Sequence, residues 1–201
     1  MVRVVSGDLF LSGAQALINA VNCEGAMGKG IALEFARRYP EMYVSYCEAC
    51  LAGELRPGRL HVFERGIEFP QVLINFPTKD RWRNQSRIGY IRDGLKALVA
   101  ECQARELQSL ALPALGCGLG GLGFGQVSEL VRLAFIGDPE IDVAIYQPLR
   151  SGGDEGSGDP VGAQVVPPAH IRMPRSRTGE DPEPGAPRSA RQAGNGPARS
   201  S

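Results

Sequence analysis

The chain has 201 residues, 43% of them hydrophobic, and its 22 Lys and Arg balance its 22 Asp and Glu, so it is formally neutral. Those figures exclude a wholly disordered chain and a strongly basic polyanion binder. Residues 1–150 hold every Phe and Tyr and the single Trp82, whereas residues 151–201 are rich in Gly and Pro and hold no aromatic residue, so the first part reads as one domain and the second as a disordered tail.

Val2–Val5 and Ala16–Ala20 are short apolar runs bounded by Gly, Ser and Asn, the pattern of buried strands. After the glycine-rich stretch Gly25–Gly30, a helix begins at Ile31, Leu33, Phe35 and Ala36 and is closed by Pro40, because proline disfavours a helical residue before it. Glu41–Leu51 reads as an amphipathic helix, Leu60–Glu64 and Val72–Phe76 as strands, with Pro77 ending the second. From Ser86, the residues Ile88, Ile91, Leu95, Leu98 and Cys102 recur at steps of three and four, which predicts the clearest amphipathic helix of the chain. Ser109–Leu112 is a strand, Gly116–Gly125 a second glycine-rich loop, Val127–Phe135 a helix and Ile141–Tyr146 a last strand. Strands alternating with helices predict an α/β fold with a mixed or parallel sheet covered on both faces.

Each part of the chain also balances by sign, so no broad cationic face is implied, and nucleic acid would be gripped by a local patch such as Arg81, Trp82, Arg83 and Arg87. Five cysteines form no disulfide framework, and the lone Cys47-x-x-Cys50 lacks the further ligands of a zinc site, so no metal and no cofactor are expected. No apolar run approaches the length that spans a bilayer, and the first residues show no signal-peptide pattern. A soluble, cytoplasmic monomer without membrane contact is the expectation.

Histidine is nearly absent. His61 lies in a strand, where a place on the sheet surface suits it better than catalysis, and His170 lies in the tail, which disfavours hydrolases built on a histidine base. Glycine is concentrated instead in two loops, each between a strand and a helix. Backbone N–H groups in such loops, with a helix N-terminus behind them, cradle anions without cationic side chains, which suits a pyrophosphate. The first loop lacks the Ser or Thr that follows the lysine of a P-loop. Gly116 to Gly121 satisfies GxGxxG, but the next strand lacks the acidic residue a dinucleotide fold places at its end. Asp8 is either a turn aspartate or an acceptor for an adenine amino group, and Asn19 and Asn22 either grip ribose hydroxyls or hold a loop together. Lys79, at a proline-kinked turn, is either a solvated charge or a functional amine.

GDLF, LINAVNCEGAMGKGIALEF, INFPTKDRWR and LPALGCGLGGLGF, in that order over about Val2–Gln147, resemble a macrodomain, the three-layer α/β/α module that binds ADP-ribose. Within macrodomains they look most like the DarG branch, DNA ADP-ribosyl glycohydrolases that reverse the thymidine modification made on single-stranded DNA by the DarT toxin. The resemblance implies that Asp8 and Leu9 meet adenine and that Asn19, Asn22, Gly25, Met27, Gly28, Gly30, Ile31 and Ala32 hold the distal ribose and one side of the diphosphate. It implies that Thr78 borders the ligand and that Leu115, Gly116, Cys117, Gly118, Leu119, Gly120, Gly121 and Leu122 wrap the other phosphate. Lys79 matches the catalytic lysine of that branch, and Arg81, Trp82 and Arg83 are placed to meet the DNA. A related branch pairs its lysine with an aspartate where this chain has Gly120. ADP-ribose or ADP-ribosylated single-stranded DNA is then the ligand, and a DarT-type toxin a partner. A non-catalytic ADP-ribose reader and an O-acetyl-ADP-ribose deacetylase are the alternatives.

Overall fold

The computed structural model describes residues 1–147, so the expected tail, residues 151–201, lies outside the described residues. Strands β1 (Val2–Val5), β2 (Ala16–Val21), β3 (His61–Glu64), β4 (Val72–Pro77), β5 (Ser109–Pro113) and β6 (Asp142–Tyr146) form one six-stranded sheet in the order β1-β6-β5-β2-β4-β3. All neighbours pair in parallel except β3, which runs antiparallel to β4 at the edge. Helices α1 (Gly30–Arg38), α2 (Pro40–Leu51), α3 (Ile88–Ala104) and α4 (Phe124–Ala134) cover the sheet.

Alternation along the strands sorts side chains between two cores. Ala16, Ile18, Ile74, Phe76, Leu110 and Leu112 point to the layer of α3 and α4, where they meet Ile91, Leu95, Leu98, Val127 and Val131. Leu17, Leu73 and Ala111 point the other way, to Phe35 and Ala36 of α1 and Met42 and Tyr46 of α2. Every residue of β4 is buried, as expected of an interior parallel strand covered on both faces. The result is the three-layer α/β/α arrangement expected from the sequence.

Most boundaries differ from the sequence reading by a residue, and two of the differences have a plain physical reason. β4 continues through Pro77, which pairs in register with Val21, because the missing proline N–H falls at the strand's last position. The second glycine loop ends at Gly123, and Gly125 lies in the first turn of α4, where its backbone N–H needs no intrahelical partner. Among the described residues no helix is long and apolar enough to cross a membrane.

Candidate functional site

Five parallel strands deliver their carboxyl ends to one side of the sheet, and there a cavity of about 1100 Å³ opens. One wall is the first glycine loop and the start of α1: Asn22, Ala26, Gly28, Lys29, Gly30, Ile31 and Ala32 line it. No side chain caps α1, so its first backbone N–H groups are left for a ligand and present the positive end of the helix dipole. The opposite wall is Gly116, Gly118, Leu119 and Gly120 of the second loop.

Asn22 organises the first loop from within. Its Nδ2 donates to the Ala26 carbonyl at 2.6 Å, and its Oδ1 accepts from the Glu24 N–H at 2.8 Å and the Tyr46 hydroxyl at 3.3 Å. Asn19 is fully buried beneath the cavity; its amide donates to Asn75 Oδ1 at 2.9 Å and to Met27 Sδ at 3.7 Å, while its own Oδ1 has no partner. Gly25 and Met27 also face inward: the Gly25 carbonyl accepts from Tyr43 and Cys47, and Met27 is buried. Cys47, one half of the CxxC pair, is therefore part of the support under this loop.

The second loop leans on the segment after β4. The Ser86 N–H donates to the Gly120 carbonyl at 3.0 Å. A Cβ at Gly120 would fall 2.2 Å from Ser86 Oγ and 2.3 Å from the Gly116 carbonyl oxygen, so position 120 admits no side chain in this backbone. Leu115 is buried among α3 and α4, Cys117 and Leu122 pack against that core, and Gly121 stands at the turn behind the wall, so these four support the wall without lining it.

Lys79 closes the site between the two walls. Its backbone is held because the Thr78 N–H donates to the Val21 carbonyl at 2.9 Å and the Cys23 thiol donates to the Lys79 carbonyl at 3.4 Å. Its ammonium donates to the Leu119 carbonyl at 2.8 Å. Partial burial holds that amine below the usual lysine range, and among the described residues it makes no ion pair. The neighbouring thiols are not alternative nucleophiles at neutral pH, since burial pushes Cys23 up to about 12 and Cys117 to about 11.

At the far end Asp8 accepts from the Phe10 N–H at 2.9 Å and lies 3.8 Å from Arg38, whose guanidinium sits over the Phe10 ring at 4.2 Å. Asp8 thus caps the Leu9–Leu11 3₁₀ turn while lining the cavity beside Leu9. Phe10, Glu34, Arg38, Tyr146 and Gln147 line this end as well. The sequence reading missed them; the Phe10 signal was adjacency to Asp8, whereas Tyr146 and Gln147 enter only because β6 lies beside β1. Thr78 and Trp82 border the mouth, with the Trp82 N–H held by Glu24 Oε2 at 2.9 Å, while Arg81 and Arg83 stand outside the cavity. His61 is remote from it and is not a sheet-surface residue: Asn75 Nδ2 lies 3.0 Å from its Nδ1 and Ser45 Oγ 2.9 Å from its Nε2, because α2 covers the strand there.

Comparison with known proteins identifies the family to which this fold belongs. A Macro domain profile matches residues 18–131. The curated DNA ADP-ribosyl glycohydrolase of Mycobacterium tuberculosis is 45% identical over 154 residues, covering 76% of this chain and 43% of that protein. The chain therefore spans less than half the length of this curated relative. The solved macrodomain of Thermus aquaticus DarG is 42% identical with a TM-score of 0.71, covering 74% of this chain and 99% of that one. Thermosipho africanus DarTG in complex with ADP-ribose is 35% identical with a TM-score of 0.70, covering 76% of this chain and 43% of that one. With its two glycine walls at the carboxyl ends of a parallel sheet and this degree of likeness, the chain belongs to the Macro domain family and is similar within it to the DarG macrodomains.

Proposed function

We propose that the protein is an ADP-ribosyl glycohydrolase that removes ADP-ribose from thymidine in single-stranded DNA, reversing the action of a DarT-type toxin. The observation that carries this reading is Lys79: a partly buried amine held against Leu119 at the point where the two backbone-lined walls converge. The relatives of similar sequence bear the names DNA ADP-ribosyl glycohydrolase and DarG, and the structure of DarTG contains ADP-ribose.

In this reaction the bond from the ribose anomeric carbon to the base nitrogen breaks. Water then supplies a hydroxyl to that carbon and a proton to the departing base. Positive charge grows on the sugar ring and negative charge on the base. The backbone N–H groups of Gly30, Ile31 and Ala32 and of the second loop would hold the diphosphate, fixing the anomeric carbon near Lys79. The Lys79 ammonium, released from the Leu119 carbonyl, would donate to the leaving base in the transition state. A partner aspartate in the second loop is not available to share this work, since position 120 has no room for one. The chemistry rests on one cation.

Replacing Lys79 by Ala is expected to lower release of ADP-ribose from a modified single-stranded oligonucleotide by about 100-fold or more, the usual consequence of losing one transition-state donor. Because the working form is the cation, activity falls on the alkaline side, at a lower pH than for a solvated lysine. Equal release by Lys79→Ala and wild type overturns the reading. ADP-ribose binding by wild type without turnover would select the non-catalytic reader, and turnover confined to O-acetyl-ADP-ribose the deacetylase.

A further inference from the structure

The formal neutrality of the domain hides an uneven distribution of charge. Arg3, Arg37, Arg38, Arg65, Arg105 and Arg132 each pair with a carboxylate. Arg56, Arg59, Arg81, Arg83, Arg87 and Arg92 make no ion pair among the described residues, and all six are exposed.

The unpaired set belongs to two segments that meet at α3. Arg81 and Arg83 follow Lys79, Arg87 is the N-cap of α3, and Arg92 lies in the second turn of that helix. Arg56 and Arg59 stand at the two ends of a tight turn, with the Arg59 N–H donating to the Arg56 carbonyl at 2.8 Å. That turn abuts the same helix: a Cβ at Gly58 would lie 3.2 Å from Asp93 Cβ. From Arg87 to Asp93 the helix climbs about 9 Å. The acidic groups nearby are Glu24, whose carboxylate accepts from the Trp82 N–H, Glu54, Asp80 and Asp93, and Lys96 lies 3.8 Å from Asp93, so the six arginines still outnumber the carboxylates. The cationic surplus therefore extends from the cavity mouth over the N-terminal half of α3 to the 56–59 turn. Trp82 is 49% exposed at its origin, with the Arg83 guanidinium 4.7 Å from its ring centroid. Charge balance along the chain implies no broad cationic face; the surplus around α3 arises because local pairing neutralises the arginines elsewhere.

We infer that this face is the track for the nucleic-acid strand flanking the modified nucleotide, a single-stranded phosphodiester backbone, with Arg56, Arg59 and Arg92 gripping phosphates away from the cavity. The inference rests on the proposed function for its choice of partner. Unpaired guanidiniums suit phosphates, and an exposed indole at the cavity mouth suits an unstacked base.

The test uses the full chain and unmodified, fluorescein-labelled oligothymidine, read by anisotropy between about 50 and 200 mM salt. Arg56→Ala, Arg59→Ala and Arg92→Ala combined are expected to weaken binding at low salt by about 10-fold or more. The slope of log affinity against log salt should shrink by about 2, at roughly 0.7 for each phosphate contact on a single strand. ADP-ribose affinity by calorimetry and the thermal midpoint are expected to stay unchanged. An oligouridine of equal length tells RNA from DNA as the source of the backbone: equal loss on both strands assigns the track to backbone contacts alone, and loss confined to the deoxy strand assigns it to DNA. An unchanged slope, or ADP-ribose affinity falling in parallel, overturns the inference. Because this readout needs no hydrolysis, a wild type that binds oligothymidine but releases no ADP-ribose defeats the proposed function and leaves the track standing.

Discussion

His61 illustrates how burial gives a single side chain a measurable consequence. Asn75 Nδ2 donates to its Nδ1, which fixes the neutral ring with its proton on Nε2, facing Ser45. Burial holds its pKa below the ordinary histidine value, with Glu54 acting in the opposite direction. The unfolded chain therefore binds more protons than the folded one between the lowered value and about 6.5, so stability is complete above about pH 6.5 and declines as pH falls through this window. Thermal midpoints measured against pH should show that decline, and His61→Gln should flatten it. Gly120 gives a residue-scale prediction of another kind. Its missing side chain leaves space already filled by Ser86 and by the Gly116 carbonyl, so Gly120→Ala must push the wall aside. An overpacking cost of about 1–3 kcal/mol is typical of such crowding, and calorimetry is expected to show ADP-ribose affinity lowered by about 10-fold in a protein that still folds. Lys79 could be suspected from its place after a strand, but its contact with Leu119 joins residues 79 and 119, and no local pattern encodes that pairing.

At the scale of elements, the close approach of α3 to β4 depends on Gly94. A Cβ there would fall 2.2 Å from Phe76 Cζ, within the ring's own space. Gly94→Ala should destabilise the fold by about 1–3 kcal/mol despite the better helix propensity of alanine, as read from denaturant midpoints, and Phe76→Leu in the same chain should recover part of the loss. The strands and helices were legible because each carries its periodicity within its own segment: steps of three and four in α3, and unbroken apolar runs in β2 and β4. The start of α4 was not, since Gly123 and Gly125 read as loop while helical hydrogen bonding from Val127 back to Gly123 holds that turn. The glycine loops were recognisable by composition, but which of their residues face the cavity depends on partners remote in sequence: Tyr46 for the first loop and Ser86 for the second.

For the whole molecule, charge balance was the least informative feature of the sequence, because pairing is a property of three-dimensional neighbours. Arg105 reaches both Glu64 and Glu101 at the C-terminal end of α3, and Arg3 reaches Asp142 at 2.8 Å, so these cations are silenced while the arginines around the N-terminal half of α3 are not. The layered arrangement was legible from the alternation of element types, whereas the strand order was not, and with it went Tyr146 and Gln147 as cavity residues. That order also sets a timetable. β1 pairs only with β6, the last strand described, and the turn after β1 carries Asp8 and Phe10 to the cavity. A nascent chain emerging from the ribosome must therefore keep β1 without its sheet partner until residues 142–146 have been synthesised, although the turn carrying Asp8 and Phe10 can already rest on Phe35 and Arg38 of α1.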